Sequence, residues 1–167
     1  GQRNTAVGRT SLQVCTTGGY NVAIGMATLE VMTTASYNTA CGYGAGIAIT
    51  TGASNTSVGN AALQSLTTGT HNTSVGDTSG DTVTTGSYNT YLGKDCRASA
   101  TDVTYETSIG YNQVGQGDGK LTYGKSGAWT TLTAGSTTVA ASSDRRIKEN
   151  IQDSTAGLSF INDLQPK

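Results

Sequence analysis

Apolar and polar positions recur at one fixed spacing over the first two thirds of the chain. A pentad of the form Asn-Thr-Ala/Ser-Val-Gly returns at every seventeenth position without insertion, and its seven copies begin at Asn4, Asn21, Asn38, Asn55, Asn72, Asn89 and Glu106. A constant period without slippage is typical of stacked repeats, in which each unit buries its apolar side chains against its neighbours. We therefore predict a repeat domain over residues 1–110.

The second half of each unit repeats as well. An apolar column follows the pentad glycine by seven residues: Cys15, Met32, Ile49, Leu66, Val83 and Ala100. A Thr-Thr pair and then a Gly or Ala follow it in the first five units. A unit of this length is too short for two helices and a turn, and the apolar residues alternate instead of following a helical period. The pattern predicts an all-β fold, a parallel β-solenoid or β-roll whose coils each hold two short strands.

Alternation also predicts which side chains point inward. The second and fourth pentad residues share one face, and we expect that face to be the inside of the roll because it carries the larger, β-branched residues. The predicted repeat core is Val7, Ile24, Cys41, Val58, Val75, Leu92 and Ile109. The small third residues, such as Ala40 and Ser57, would then face outward, where another backbone could approach. Cys15 and Cys41 are expected to be buried free thiols, and Cys96 to lie in a turn.

Composition indicates a thin core. The 167 residues are 35% hydrophobic and 13% charged, with 23 Gly, one Pro and a net charge of -1. A globular chain of this size would bury about 70% of its unfolded surface. We expect this lean solenoid to gain stability from association with other copies. Nothing in the charge balance favours nucleic acid, no run approaches the ~18 apolar residues of a membrane span, and no spacing indicates a metal or cofactor.

The last position of the unit is mostly aromatic. It holds Tyr20, Tyr37, His71, Tyr88 and Tyr105, with Ser54 between the second and third. Such a surface ladder could bind a glycan or could pack at a coil corner or subunit seam. We favour packing.

Residues 111–143 form a Gly/Ser/Thr-rich connector with predicted strands at 120–123, 129–132 and 137–141. Residues 119–126 match the phosphate-loop pattern G-x4-G-K-[ST]. That pattern binds phosphate only between a buried strand and a helix N-terminus. Because no buried strand leads into residues 119–126 and no helix follows them, we do not expect nucleotide binding.

A new module begins at Asp144, since eight charged residues lie between there and Lys167. A helix is predicted from Asp153 or Ser154 to about Leu164. The module ends abruptly and the chain lacks an initiator Met, so we expect a fragment of a longer protein.

Two resemblances follow from these motifs. The Asn-Thr-Ala-Val-Gly coils resemble the head repeats of trimeric autotransporter adhesins over residues 1–110. This resemblance implies a left-handed parallel β-roll that exists as a homotrimer, although the unit here is longer than that family's usual one.

The second resemblance lies at the C-terminal module. The string Ser-Asp-Arg-Arg-Ile-Lys-Glu-Asn-Ile at 143–151, followed by residues 157–166, resembles the opening of the intramolecular chaperone, auto-processing domain of phage tail fibres, tailspikes and endosialidases. The resemblance implies self-cleavage between Ser143 and Asp144, with Ser143 as nucleophile and Lys148 as its base. A lysine can serve as a base where burial or a cationic neighbour lowers its pKa. The family's domain extends past Lys167, so cleavage is expected only in a full-length protein.

We therefore expect a structural protein, a segment of a trimeric viral tail or surface fibre on the virion. The alternative is a trimeric cell-surface adhesin head that binds host matrix or glycans, which would carry a membrane anchor instead of a chaperone. An ice-binding solenoid using one exposed row of the Thr-Thr pairs is a third, weaker hypothesis.

Overall fold

The computed structural model describes residues 1–135 and the backbone of residues 139–141. This part of the chain is all-β and contains no helix. Ten strands form one sheet and follow one another in chain order. They are β1 (Thr5–Val7), β2 (Val22–Ile24), β3 (Thr39–Cys41), β4 (Thr56–Val58), β5 (Thr73–Val75), β6 (Thr90–Leu92), β7 (Thr107–Tyr111), β8 (Lys120–Lys125), β9 (Ala128–Thr133) and β10 (Val139–Ala141).

The first seven strands are parallel and pair with an offset of one repeat. Ala23 is opposite Ala40, and Cys41 is opposite Val58. Each repeat unit therefore makes one coil, and equivalent residues stack directly above one another. The predicted parallel β-solenoid is confirmed.

The predicted second strand of each coil is wrong. The Thr-Thr segments are turns and bends, although they too stack by backbone hydrogen bonds: the Thr16 N–H donates to the Thr33 carbonyl at 2.9 Å. The Thr16 hydroxyl donates to the same carbonyl at 3.0 Å. These bonds hold the coils together while the chain is still turning, so no extended run forms.

The predicted direction of the strand side chains is also wrong. From the second coil onward the third pentad residue is buried, as Ala23 is with 0% exposure, whereas its neighbour Ile24 is 42% exposed. All seven residues of the predicted repeat core point outward, and only Val58 and Ile109 among them are as much as half-buried: Val7, Ile24, Cys41, Val58, Val75, Leu92 and Ile109. Cys41 is thus an exposed thiol, Cys15 is half-buried and Cys96 is buried.

The interior is filled from the second half of the coil. Its largest apolar side chains are fully buried there: Leu29, Met32, Ile49, Leu63, Leu66 and Val83. They leave room only for Ala or Ser on the facing strand column. Tyr91 is the exception in that column, and it fits because Gly80 lacks a Cβ, which would lie 2.8 Å from Tyr91 Cδ2. Protein interiors are close-packed, so the coil's width fixes which strand residues can be inside.

Buried asparagines line one corner of the coil. The Asn55 amide nitrogen donates to Asn38 Oδ1 at 3.1 Å and to the Gly69 carbonyl at 2.9 Å. Its Oδ1 accepts from the backbone N–H of Asn72 at 2.9 Å. The same pattern links successive coils and satisfies buried backbone groups that would otherwise lack partners. This asparagine ladder explains why Asn begins the pentad.

The sheet changes character after β7. β8 pairs parallel to β7 with a shorter offset than one repeat, Thr107 being opposite Leu121, and β8, β9 and β10 then pair antiparallel. The strands predicted at 120–123 and 129–132 are confirmed, and residues 139–141 of the strand predicted at 137–141 form β10. The phosphate-loop match lies in β8 and the turn into β9, where no helix follows. The helix predicted after Asp153 lies outside the described residues.

Candidate interaction surfaces

The outward side chains of β1 to β7 form a continuous strip, which we call the outer strand face. One column of it is apolar, and its members include Val7 and Leu92, which are 57% and 46% exposed. The other column is mostly threonine, as at Thr39 and Thr73. Because strands stack about 4.8 Å apart, seven of them give a strip roughly 29 Å long.

This face is unusual for a parallel sheet. Parallel sheets are normally covered on both sides, since their strands carry apolar residues on both faces. Here the inner side is packed against Leu and Met side chains, while the outer side is open within the single chain. An exposed apolar strip of this length is typical of an association surface.

The aromatic residues predicted as a surface ladder do stack. Tyr20 and Tyr37 lie with ring centroids 5.0 Å apart and planes 10° from parallel. His71 stacks on Tyr88 at 4.8 Å, and Tyr88 stacks on Tyr105 at 5.0 Å. The guanidinium of Arg3 covers the free face of Tyr20 at 5.1 Å from the centroid. These distances are those of offset-stacked rings, so rings of neighbouring coils pack on one another at this corner.

A tight corner holds the rings in register. Tyr20, Tyr37, Ser54, His71, Tyr88 and Tyr105 all have positive φ angles, between 59° and 64°. The N–H of each donates across the coil boundary, as that of Tyr37 does to the Gly19 carbonyl at 3.1 Å. A left-handed backbone is uncommon for residues other than glycine, and here the stacking of coils enforces it at every turn.

The rings form two stacks because Ser54 interrupts the ladder. Tyr88 has rings on both sides and is 48% exposed, while Tyr105, at the end of its stack, is 63% exposed. Tyr37 is 61% exposed, like an end residue, although it lies in the middle of the row. The face of Tyr37 that looks toward His71 is therefore open.

Charged side chains cluster on coils five and six. Lys94 Nζ lies 2.6 Å from Asp77 Oδ2, and this hydrogen bond lowers the pKa of Asp77 and raises that of Lys94. Arg97 Nε is 3.8 Å from Asp81 Oδ1. Desolvation raises the pKa of Asp81 despite that neighbour. Both pairs are partly or largely exposed, so we assign them little stabilising energy.

A buried carboxylate ends the asparagine ladder. Glu106 accepts hydrogen bonds from the Gly117 N–H at 2.8 Å, the Ser99 N–H at 3.1 Å and the Tyr91 hydroxyl at 3.3 Å. Burial, followed by the charge of Glu106, raises the pKa of Tyr91. A Cβ on Gly115 would lie 2.1 Å from this carboxylate, so a larger residue there would displace the carboxylate from these donors.

The described residues offer no cluster of His, Cys, Asp and Glu that could hold a metal ion. Among them, no helix is long and apolar enough to cross a membrane. The proposed nucleophile Ser143 and base Lys148 lie outside the described residues, as does the Ser143-Asp144 bond. The distance between the Ser143 and Lys148 side chains is therefore not defined by the described residues.

No family model matches the chain, and neither the curated proteins nor the solved structures give a match.

Three features escaped the sequence analysis. The outward direction of the apolar column could not be read from alternation, which gives two faces without saying which is inside. The open face at Ser54 had a signal, because Ser54 is the one non-aromatic residue among the last positions of the six units. The role of Glu106 also had a signal in the sequence, since Glu106 occupies the position at which the other six repeats have asparagine.

Proposed function

We propose that this chain is a structural segment of a homotrimeric fibre of the phage-tail type that takes part in host attachment. The observation that carries the proposal is the outer strand face. Three parallel copies packed about a common axis would cover the apolar columns of all three chains at once. Burying such columns contributes roughly 25 cal/mol for each Å² of apolar surface.

The low charge of the face supports a symmetric partner. The seven residues of its apolar column carry no ionisable group apart from the thiol of Cys41. Equivalent residues of parallel copies can therefore meet on the axis without like-charge repulsion. Threonine in the flanking column can donate and accept hydrogen bonds at the edge of such an interface.

Residues 144–167 are proposed to begin a self-cleaving trimerisation chaperone. The supporting observation is the motif at 143–151 and its resemblance to auto-processing fibre domains. Long-range parallel pairing is slow to form, and a chaperone that holds three chains in register would shorten that search. Once the fibre is assembled, cleavage after Ser143 would release it.

Assembly is tested with three aspartate variants studied by sedimentation equilibrium and circular dichroism. Ile24→Asp places charges on the proposed axis and should abolish the trimer. Thr51→Asp, at an exposed turn, should leave it intact. Ala23→Asp buries a carboxylate inside the coil at a cost of several kcal/mol and should abolish folding. A stable folded wild-type monomer, or an Ile24→Asp trimer as stable as wild type, would refute the proposal.

Cleavage is tested by intact mass of a chain that carries the rest of the chaperone domain. It should split after Ser143, and Ser143→Ala or Lys148→Ala should give one uncut chain that still forms trimers. Cutting that persists in Ser143→Ala would assign the cleavage to another group or to an external protease.

The exposed aromatic ladder favours a second candidate, a trimeric cell-surface adhesin head that binds host matrix or glycans. Under that function the ladder would be the binding surface, and replacing Tyr88 and Tyr105 by Ser would abolish attachment without affecting the trimer.

A further inference from the structure

We infer that the break in the aromatic ladder at Ser54 is a binding slot for one planar aromatic side chain of a protein partner. The slot is bounded by Tyr37 on one side and His71 on the other, with Ser54 between them. It rests on the geometry of the single chain and does not depend on the proposed fibre function.

The spacing of the ladder defines the size of the slot. Each ring step is 4.8 to 5.0 Å between centroids. Tyr37 and His71 are two coils apart, so their rings are separated by two strand spacings, roughly 10 Å. One ring placed midway would stack on both neighbours with the same offset geometry as the rings elsewhere in the ladder.

The slot is open and rigidly framed. The high exposure of Tyr37 shows that the face of its ring toward His71 is uncovered. Ser54 keeps the corner conformation of the aromatic positions, with φ of 60° and its N–H bonded to the Ser36 carbonyl at 3.0 Å. The missing ring is therefore an omitted side chain in an unchanged backbone, and the walls need not move for a ligand to enter.

The position beside Ser54 also differs between coils. At the neighbouring position, the Gly19 N–H donates to the Ser36 hydroxyl and the Thr70 N–H donates to the Ser87 hydroxyl, each at 3.0 Å. The slot coil has Ala53 there, which offers no hydroxyl to the Ser36 N–H. Ala53 therefore adds no polar side-chain group beside Ser54.

These features favour an aromatic amino-acid residue over a sugar. An aromatic ring is as thin as the rings that already form the ladder, and Ala53 places no polar side chain beside it. A pyranose is thicker because C–H bonds project from both of its faces, so stacking on both walls would force them apart. We therefore commit to a Tyr or Trp side chain presented by a partner protein.

The test uses the purified chain in its native assembly state and follows ligand binding by saturation-transfer NMR. The probes are N-acetyltyrosinamide and N-acetyltryptophanamide, with methyl glucoside as the sugar probe. We expect binding of the aromatic probes to wild type and at least a tenfold loss in Ser54→Tyr, in which the slot is filled from within. Tyr37→Ser should lose binding to the same degree because one wall is removed.

Tyr105→Ser is the matched control, since it removes an equally exposed ring at the far end of the ladder and should bind as wild type does. Circular dichroism establishes that each variant folds. Absence of aromatic binding to wild type, or unchanged binding in Ser54→Tyr, would overturn the inference. Preferential binding of methyl glucoside would overturn it in favour of a glycan site.

Discussion

Asn89 and Glu106 are linked at the end of the asparagine ladder: Asn89 Oδ1 accepts a hydrogen bond from the Glu106 N–H at 2.8 Å. Every earlier link joins two asparagines. Here the next side chain is the Glu106 carboxylate, which has only acceptor oxygens and cannot donate a hydrogen bond back to Asn89. It accepts hydrogen bonds from Tyr91, Ser99 and Gly117 instead. The regular solenoid ends at this point, because Thr107 lies one full repeat after its partner Thr90 but its next partner, Leu121, follows it by less than a repeat.

The first prediction concerns that carboxylate. Glu106→Ala removes the acceptor of the buried Tyr91 hydroxyl and should lower the free energy of unfolding by about 2 kcal/mol, the usual cost of a buried polar group left without a partner. Amide hydrogen exchange at Ser99 and Gly117 should speed up, since both N–H groups lose their acceptor. Asp102→Ala, at an exposed position, serves as control. Unchanged exchange at both amides would contradict this role.

The second prediction concerns the ladder itself. Asn55→Ala leaves the buried amide groups of Asn38 and Asn72 and the Gly69 carbonyl short of partners, and we expect a loss of at least about 3 kcal/mol. Asn60→Ala removes an exposed amide that bonds Asp77 and should change stability by less than about 0.5 kcal/mol. Chemical denaturation measures both. Equal effects of the two changes would show that the ladder does not stabilise the coil.

The third prediction uses the exposed thiol on the outer strand face. In the proposed parallel trimer, the three Cys41 side chains are at the same height around the axis. A short bismaleimide should therefore link two chains of each trimer and leave the third unlinked, because an odd thiol remains. Cys41→Ser should abolish the product, whereas Cys96→Ser, at a buried thiol, should not. Free single labelling of Cys41 without any cross-linked product would place this face outside the interface.

The fourth prediction is a pair of opposite pH effects. Desolvation raises the pKa of Asp81 above its value of 3.8, so its ionised form destabilises the fold, and this penalty disappears as pH falls through the folded pKa toward 3.8. Asp81→Asn should stabilise the protein at pH 7 and lose that advantage below the unfolded pKa.

Asp77 should behave in the opposite way. Its pKa is lowered by Lys94, so its contribution is favourable above 3.8 and is lost as pH falls through the lowered folded pKa. Asp77→Asn should therefore be slightly destabilising at pH 7. Denaturation midpoints at pH 7 and at acid pH separate the two variants. A shift of the same sign for both at pH 7 would show that the environments of the two carboxylates are not as described.

The coil stack could be predicted because it depends on a period. Seven copies of one pentad at a constant spacing require equivalent residues to stack, whatever the coil's cross-section. The connector strands were likewise predictable, since β8 and β9 carry β-forming residues on either side of Ser126 and Gly127. The absence of a strand at the Thr-Thr pairs could not be predicted from the sequence. Threonine's preference for strands is overridden there because the chain must complete a full coil within one short repeat.

The sequence by itself determined the repeat, its strand and the stacking of like residues, because these follow from local period and from the need of every backbone group for a partner. Only the tertiary structure decided which face of the strand is inside. Ala23 and Ile24 are adjacent, and hydrophobicity alone would have buried the larger. The interior is already filled by Leu29 and Met32 from across the coil, so only the small side chain fits, and Ile24 is left outside. The volume available inside the coil depends on all segments that enclose it, so it cannot be read from the sequence of one strand.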